Sequence, residues 1–213
     1  FNEGIVLSIV ATGAIFIYTL GSFDISLGAA TLFAATLGVV SYNKTENLGV
    51  MMLVILLSGI GCSLLNSVLA SLFHIPVFVT TVAMMSVLSA IASQIITTKG
   101  GAVGGISIPS AVVKPMDTSV FKIIVLVIWV AVCIFIFNYT KFGRREKFVG
   151  GNPVCSELSG IKYNKYAILG FLIAGIGVGI GAFMTLVYTP SVTTTTAGDI
   201  GICLLYTSDA ADE

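Results

Sequence analysis

Asp24 and Ser26 share a short polar interruption, Gly21-Ser22-Phe23-Asp24-Ile25-Ser26-Leu27-Gly28, between two apolar runs. Two kinds of chemistry suit an acid and a hydroxyl at this spacing. Either can cap a helix by accepting a backbone N–H. Both can also line a polar cavity where a discontinuous helix frees its backbone groups. An acid at membrane depth costs at least about 2.5 kcal/mol, so Asp24 needs a partner or water. Thr80 and Thr81 are further candidates for a polar pathway, because polar side chains within membrane spans usually face a cavity.

A second segment, Asn152-Pro153-Val154-Cys155-Ser156-Glu157-Leu158-Ser159-Gly160, reads as a complete short helix. Asn152 is the cap, Pro153 fits the first helical position, and Gly160 can close the end in a left-handed conformation. Gly150 and Gly151 give the chain freedom just before it. A capped helix in a basic loop is more than a connector needs, and one reading is docking to a cytoplasmic partner. The equal alternative is a surface helix resting on lipid headgroups.

Other chemistries find no support. His74 is the only histidine, so there is neither a triad nor a metal cluster to assemble. Cys62, Cys133, Cys155 and Cys203 form no CxxC pair, and no zinc site or disulfide framework can be read from them. Gly175, Gly177, Gly179 and Gly181 lie within an apolar run with no strand before them, which favours close helix packing over dinucleotide binding. No nucleotide-binding P-loop, zinc-protease motif or nucleophile elbow occurs. The expectation is a chain without catalytic residues, bound metal or cofactor of its own.

The elements that position these residues follow from composition. Of 213 residues, 56% are hydrophobic and 9% charged, far from the roughly 25% charged of soluble domains. Disorder needs the opposite balance. Ten bases match ten acids, so no nucleic-acid surface is implied. Six apolar runs are expected as spans: 5–20, 27–42, 48–73, 77–98, 120–137 and 166–188. They are apolar all round, and helices are the elements that satisfy their own backbone in lipid. The fold class is therefore an all-α polytopic transmembrane bundle with about six spans. Lys141, Arg144, Arg145, Lys147, Lys162 and Lys165 place six of the ten bases in loop 138–165, which the positive-inside rule makes cytoplasmic. Counting back puts 99–119 outside, His74 inside, 43–47 outside and the 21–26 break inside. Lys122, near a span end, is expected to snorkel to the interface.

The ends are expected not to be natural ones. The chain starts with Phe1, and 203–213 (CLLYTSDAADE) is similar to one translated frame of a transposon-derived sequencing adapter. Without it, ten bases face seven acids, a net charge of +3. Residues 1–202 would then be one partial transmembrane domain, truncated at both ends.

Three segments resemble the permease subunit of bacterial ATP-binding cassette importers for ribose, xylose and related sugars. Residues 21–28 are similar to that family's Gly-Gly-Ile-Asp-Leu-Ser-Val-Gly. Ile75-Pro76-Val77-Phe78-Val79-Thr80-Thr81, followed by Met84-Met85 and Gly100-Gly101, resembles its Val-Pro-Pro-Phe-Ile-Val-Thr-Leu segment. Tyr139-Thr140-Lys141-Phe142-Gly143-Arg144-Arg145, running into Gly150-Gly151-Asn152-Pro153 and Leu158-Ser159-Gly160-Ile161, matches its basic lead, Gly-Gly-Asn-Pro and Ser-Gly-Ile order. Ser22 and Phe23 depart from the pattern, and Val154-Cys155-Ser156-Glu157 replaces the usual Glu-Ala-Ala-Arg.

The resemblance implies a multi-pass bacterial inner-membrane permease that moves a sugar or similar small polar solute. It implies a second permease copy, a cytoplasmic ATP-binding subunit that consumes the ATP, an extracytoplasmic substrate-binding protein and surrounding lipid. Gly151, Asn152, Pro153, Glu157, Ser159 and Gly160 would form the ATPase-coupling loop; Asp24, Ser26, Thr80 and Thr81 would lie near the translocation pathway. The alternative is an ion-gradient-driven secondary transporter, which would use the 21–28 break but has no need of the capped cytoplasmic helix.

Overall fold

The computed structural model describes residues 2–73, 75–100 and 105–193. His74, Gly101 and the adapter-like tail lie outside the described residues. The helices are α1 (Asn2–Thr19), α2 (Leu27–Thr45), α3 (Leu48–Phe73), α4 (Val77–Gly100), α5 (Ser110–Val113), α6 (Ser119–Tyr139), α7 (Lys141–Gly151), α8 (Pro153–Leu158) and α9 (Tyr163–Tyr188). Two three-residue strands, β1 (Gly105–Ser107) and β2 (Ser191–Thr193), pair antiparallel.

The six apolar runs become the six long helices. Among the described residues five of these are long and apolar enough to cross a membrane. The exception is α2, whose last turns carry Ser41, Tyr42, Asn43 and Lys44. It is a largely buried helix, packed on α3, α4 and α9.

The bundle is built around α9, which is mostly buried, whereas α6 is mostly exposed. Small residues set its spacing to its neighbours. Gly175 and Gly179 face α3: a Cβ on Gly175 would stand 2.7 Å from the Ile60 Cα, and one on Gly179 would stand 3.0 Å from the Leu56 Cα. On the other side Gly177 meets Gly13 of α1, and Gly181 meets Val10. The glycines expected to serve packing therefore serve two interfaces, one per face. Trp129 of α6 fixes the outer layer by donating to the Ile9 carbonyl at 3.0 Å.

The bundle has two distinct ends. One gathers the strand pair, the end of α2 through Asn43 donating to the Ser107 carbonyl, and the start of α6. Lys122 is buried there rather than snorkelling, ion-paired with Asp117 and donating to Asn2 Oδ1 at 2.9 Å. The polar link into α6 thus supplies the partner that a buried ammonium needs. The other end gathers the 21–26 break, the α3–α4 link, α7, α8 and the start of α9.

Candidate functional site: the broken helix and its basic neighbour

Gly21, at φ +72°, turns the chain out of α1. Its N–H bonds to the Tyr18 carbonyl at 2.9 Å, closing the helix in the left-handed manner. Six residues later, at Leu27, α2 begins. Ser26 occupies the cap position of α2 but does not cap it with its side chain. Asp24 Oδ1 instead accepts from the Ser26 N–H at 2.8 Å and from its hydroxyl at 2.6 Å. Asn66 of α3 then donates to Ser26 Oγ at 2.6 Å. From α4, Thr81 accepts from the Ile25 N–H at 3.5 Å and donates to the Phe78 carbonyl at 3.0 Å.

Of the four pathway candidates, the structure brings together Asp24, Ser26 and Thr81, all buried. Thr80 sits about 100° further round α4; it is half-buried and takes no part in these bonds. Three residues absent from the sequence candidates complete the cluster: Ser63, Asn66 and Ser67, each buried on α3. Their spacing with Ala70 is i, i+3, i+4, i+7, the face of one helix, and that pattern was available in the sequence. Asp24 Oδ2, Ser63 Oγ, Asn66 Oδ1 and Ser67 Oγ are buried with no hydrogen-bond partner among the described residues. Each such atom costs about 1–3 kcal/mol in a sealed interior, so the cluster has unused capacity for a polar solute or water. Asn66 lies seven residues inside the end of α3, about 10 Å along its axis. The acid thus sits within the bundle, not at its rim. Below it a cavity of about 110 Å³ is lined by Ser67, Ser71, Ile75, Tyr163 and Asn164, among others. Tyr163 of that lining also shares a 3.0 Å hydrogen bond with Ser22 of the break.

The same end carries α8. Asn152 Oδ1 accepts from the Cys155 N–H at 3.0 Å, Pro153 takes the first helical position, and Gly160 turns out at φ +78°. Gly160 N–H bonds to the Glu157 carbonyl and Ile161 N–H to the Ser156 carbonyl, both at 2.9 Å. Gly151, Asn152, Pro153, Glu157, Ser159 and Gly160 are all exposed. So are Val154 and Leu158, 70% and 85% exposed and one helical turn apart. The exposed surface of α8 is therefore partly apolar as well as polar.

Gly150 and Gly151 are not a loose lead but the last turn of α7, an amphipathic helix the charge run conceals. Gly143, Glu146 and Val149 form its buried face. A Cβ on Gly150 would stand 1.8 Å from the Thr19 carbonyl, and one on Gly143 would stand 2.2 Å from that of Phe137. Glu146 is fully buried, and neither carboxylate oxygen has a hydrogen-bond partner among the described residues. Gly170 of α9 makes room for it.

Burial pushes the Glu146 carboxyl up to about 8. An exposed glutamate ionises earlier, so packing of α7 is strongest below the ordinary glutamate range. It weakens as pH rises through that range and levels off above about 8. The apparent melting temperature of the purified protein is expected to fall over this window. In Glu146→Gln, which stays neutral, the Glu146 share of that fall should vanish; an identical pH profile in the variant would refute the burial argument.

Residues 1–206 match the family described as "Branched-chain amino acid transport system / permease component". The chain belongs to that family. Among curated proteins, this permease is 27% identical over 197 residues to the L-arabinose ABC transporter permease protein AraH of Azospirillum brasilense, covering 85% of this chain and 55% of that one. It is 24% identical to the ribose import permease protein RbsC of Haemophilus influenzae, covering 79% and 53%. It is 29% identical to the L-arabinose transport system permease protein AraH of Escherichia coli, covering 78% and 51%. The chain spans about half the length of these relatives. No solved structure matches it. Family membership and the five membrane-capable helices among the described residues make the chain a multi-pass membrane protein.

Proposed function

We propose that this chain is the permease subunit, in part, of an ATP-binding cassette importer for a sugar or similar small polar solute. Two permease copies would enclose the path, a cytoplasmic ATP-binding subunit would drive it, and an extracytoplasmic binding protein would deliver the solute. The permease itself would make and break no covalent bond and hold no cofactor; ATP would be bound and hydrolysed by the partner subunit. No nucleic acid takes part.

The observation that carries this reading is the capped helix α8, with exposed Val154 and Leu158, on the same end as the broken α1–α2 connection. Gly151, Asn152, Pro153, Glu157, Ser159 and Gly160 serve here as the coupling loop. Asp24, Ser26 and Thr81 serve as polar groups near the path, with Thr80 at its margin. The names of the curated relatives support a pentose, whereas the family's description names branched-chain amino acids.

The test is uptake by the complete importer, in proteoliposomes, of labelled L-arabinose, ribose and leucine. ATP-dependent uptake of a sugar, insensitive to an ionophore, is the expected result. Uptake that an ionophore abolishes and ATP does not support points to the secondary transporter and sinks the proposal. Asp24→Ala removes both bonds to Ser26 and is expected to cut uptake at least ten-fold. Asp24→Asn keeps an acceptor at Oδ1 and should retain more. Equal uptake by wild type and Asp24→Ala would remove Asp24 from the path.

A further inference from the structure

The basic side of α7 is not used by the coupling reading. Lys141, Arg144, Arg145 and Lys147 are exposed, whereas Glu146, the helix's single acid, is buried on the opposite face. Among the described residues none of the four cations is ion-paired. Two of them fold back onto the foot of α6. Arg144 Nη1 donates to the Tyr139 carbonyl at 3.5 Å. Lys147 Nζ donates to Asn138 Oδ1 at 2.9 Å and stands 4.0 Å from the centre of the Phe137 ring.

That foot is where α6 leaves the hydrocarbon. The helix is apolar and mostly exposed, as a lipid-facing span is, and its last turn carries exposed Phe135 and Tyr139 with rings stacked at 5.8 Å. An exposed tyrosine at a span end marks headgroup level. Only Thr140 separates α6 from α7, so Arg144 and Lys147, one helical turn apart, are held at that depth. Each uses one donor internally and keeps others free: an ammonium has three N–H groups and a guanidinium five.

We propose that Arg144 and Lys147, with Lys141 beside them, hold the phosphate of an anionic phospholipid headgroup at the foot of α6. Three observations support a lipid over a protein partner: the exposed aromatic pair directly above, the anchoring of both cations to the last turn of a lipid-facing span, and the lack of an acid on that face. The inference rests on the chain being a membrane protein, not on what it transports.

The test is electron paramagnetic resonance on the complete permease in bilayers, comparing chain-labelled phosphatidylglycerol with chain-labelled phosphatidylcholine. Wild type is expected to immobilise phosphatidylglycerol preferentially, and salt should reduce the preference. In Arg144→Gln/Lys147→Gln the preference should fall at least about three-fold, since each Lys or Arg near an anionic surface is worth up to roughly five-fold. Arg144→Lys/Lys147→Arg should keep it. Lys99→Gln, exposed at the opposite end, serves as the control. No headgroup preference in wild type, or an unchanged one in the Gln double variant, overturns the proposal. So does a Gln double variant that loses the ATP-binding subunit while keeping its lipid preference. Should the double variant not fold, the wild-type comparison of headgroups still decides. Sugar uptake is a separate readout, so failure here leaves the import reading intact, and the converse.

Discussion

Gly160→Val in the complete importer is expected to abolish coupled uptake while leaving the membrane bundle assembled. Gly160 holds φ +78°, a region that costs a β-branched residue about 1–3 kcal/mol. The strain falls on a six-residue helix with little else to hold it. The left-handed turn permits the two closing bonds, from Gly160 N–H to Glu157 and from Ile161 N–H to Ser156. With valine, α8 loses that closure and Leu158 leaves its place in the docking face. Because Gly160 is exposed and a Cβ there meets nothing within 4 Å, a loss of function cannot be charged to a clash. Asn, which tolerates the left-handed region, should retain most uptake, and Ala should fall between. Uptake and ATP hydrolysis measured together check this. Hydrolysis without uptake, graded Val over Ala over Asn, is the expected pattern; normal uptake by the valine variant removes α8 from coupling.

Gly150→Ala should have the second large effect, on assembly. Its Cβ would lie 1.8 Å from the Thr19 carbonyl, far inside contact, and a backbone atom cannot swing aside. Overpacking of this kind costs typically 1–3 kcal/mol and forces helices apart. Gly151→Ala is the internal control: the neighbouring residue, also in α7, has nothing within 4 Å of its Cβ. Alanine there should be neutral or slightly stabilising, since it favours a helix over glycine. Thermal unfolding of the two purified variants separates them. Equal melting temperatures would show that α7 does not sit on α1 as described.

The bundle was legible because apolar runs of span length allow few alternatives. Asn152, Pro153 and Gly160 were legible for a different reason: each acts through its own backbone position, which sequence order states directly. The α7 helix was hidden because four cations within seven residues read as a solvated link. Its buried face of Gly143, Glu146 and Val149 repeats at three residues, a weak signal with no large apolar side chain except one valine. Asn66 was hidden by the strength of the apolar run around it. Of the two caps expected, Asp24 or Ser26, neither was fully legible: the Ser26 hydroxyl is donated to nearby Asp24 and also accepts from Asn66, forty residues away, which no local pattern announces.

The two backbone contacts of α7 also have a mechanical meaning. Gly143 on Phe137 and Gly150 on Thr19 are seven residues apart, about 10 Å along the helix. With no side chains between backbones at either point, the helix is pinned as a crank is pinned, twice and without play. If a partner moves α8, as the coupling proposal requires, the Gly150 contact is where that motion would meet the last turn of α1. From Thr19 the covalent chain needs five residues to reach Asp24. A displacement of α8 would thus reach the entry of the break that holds Asp24, with the turn at Gly21 between them.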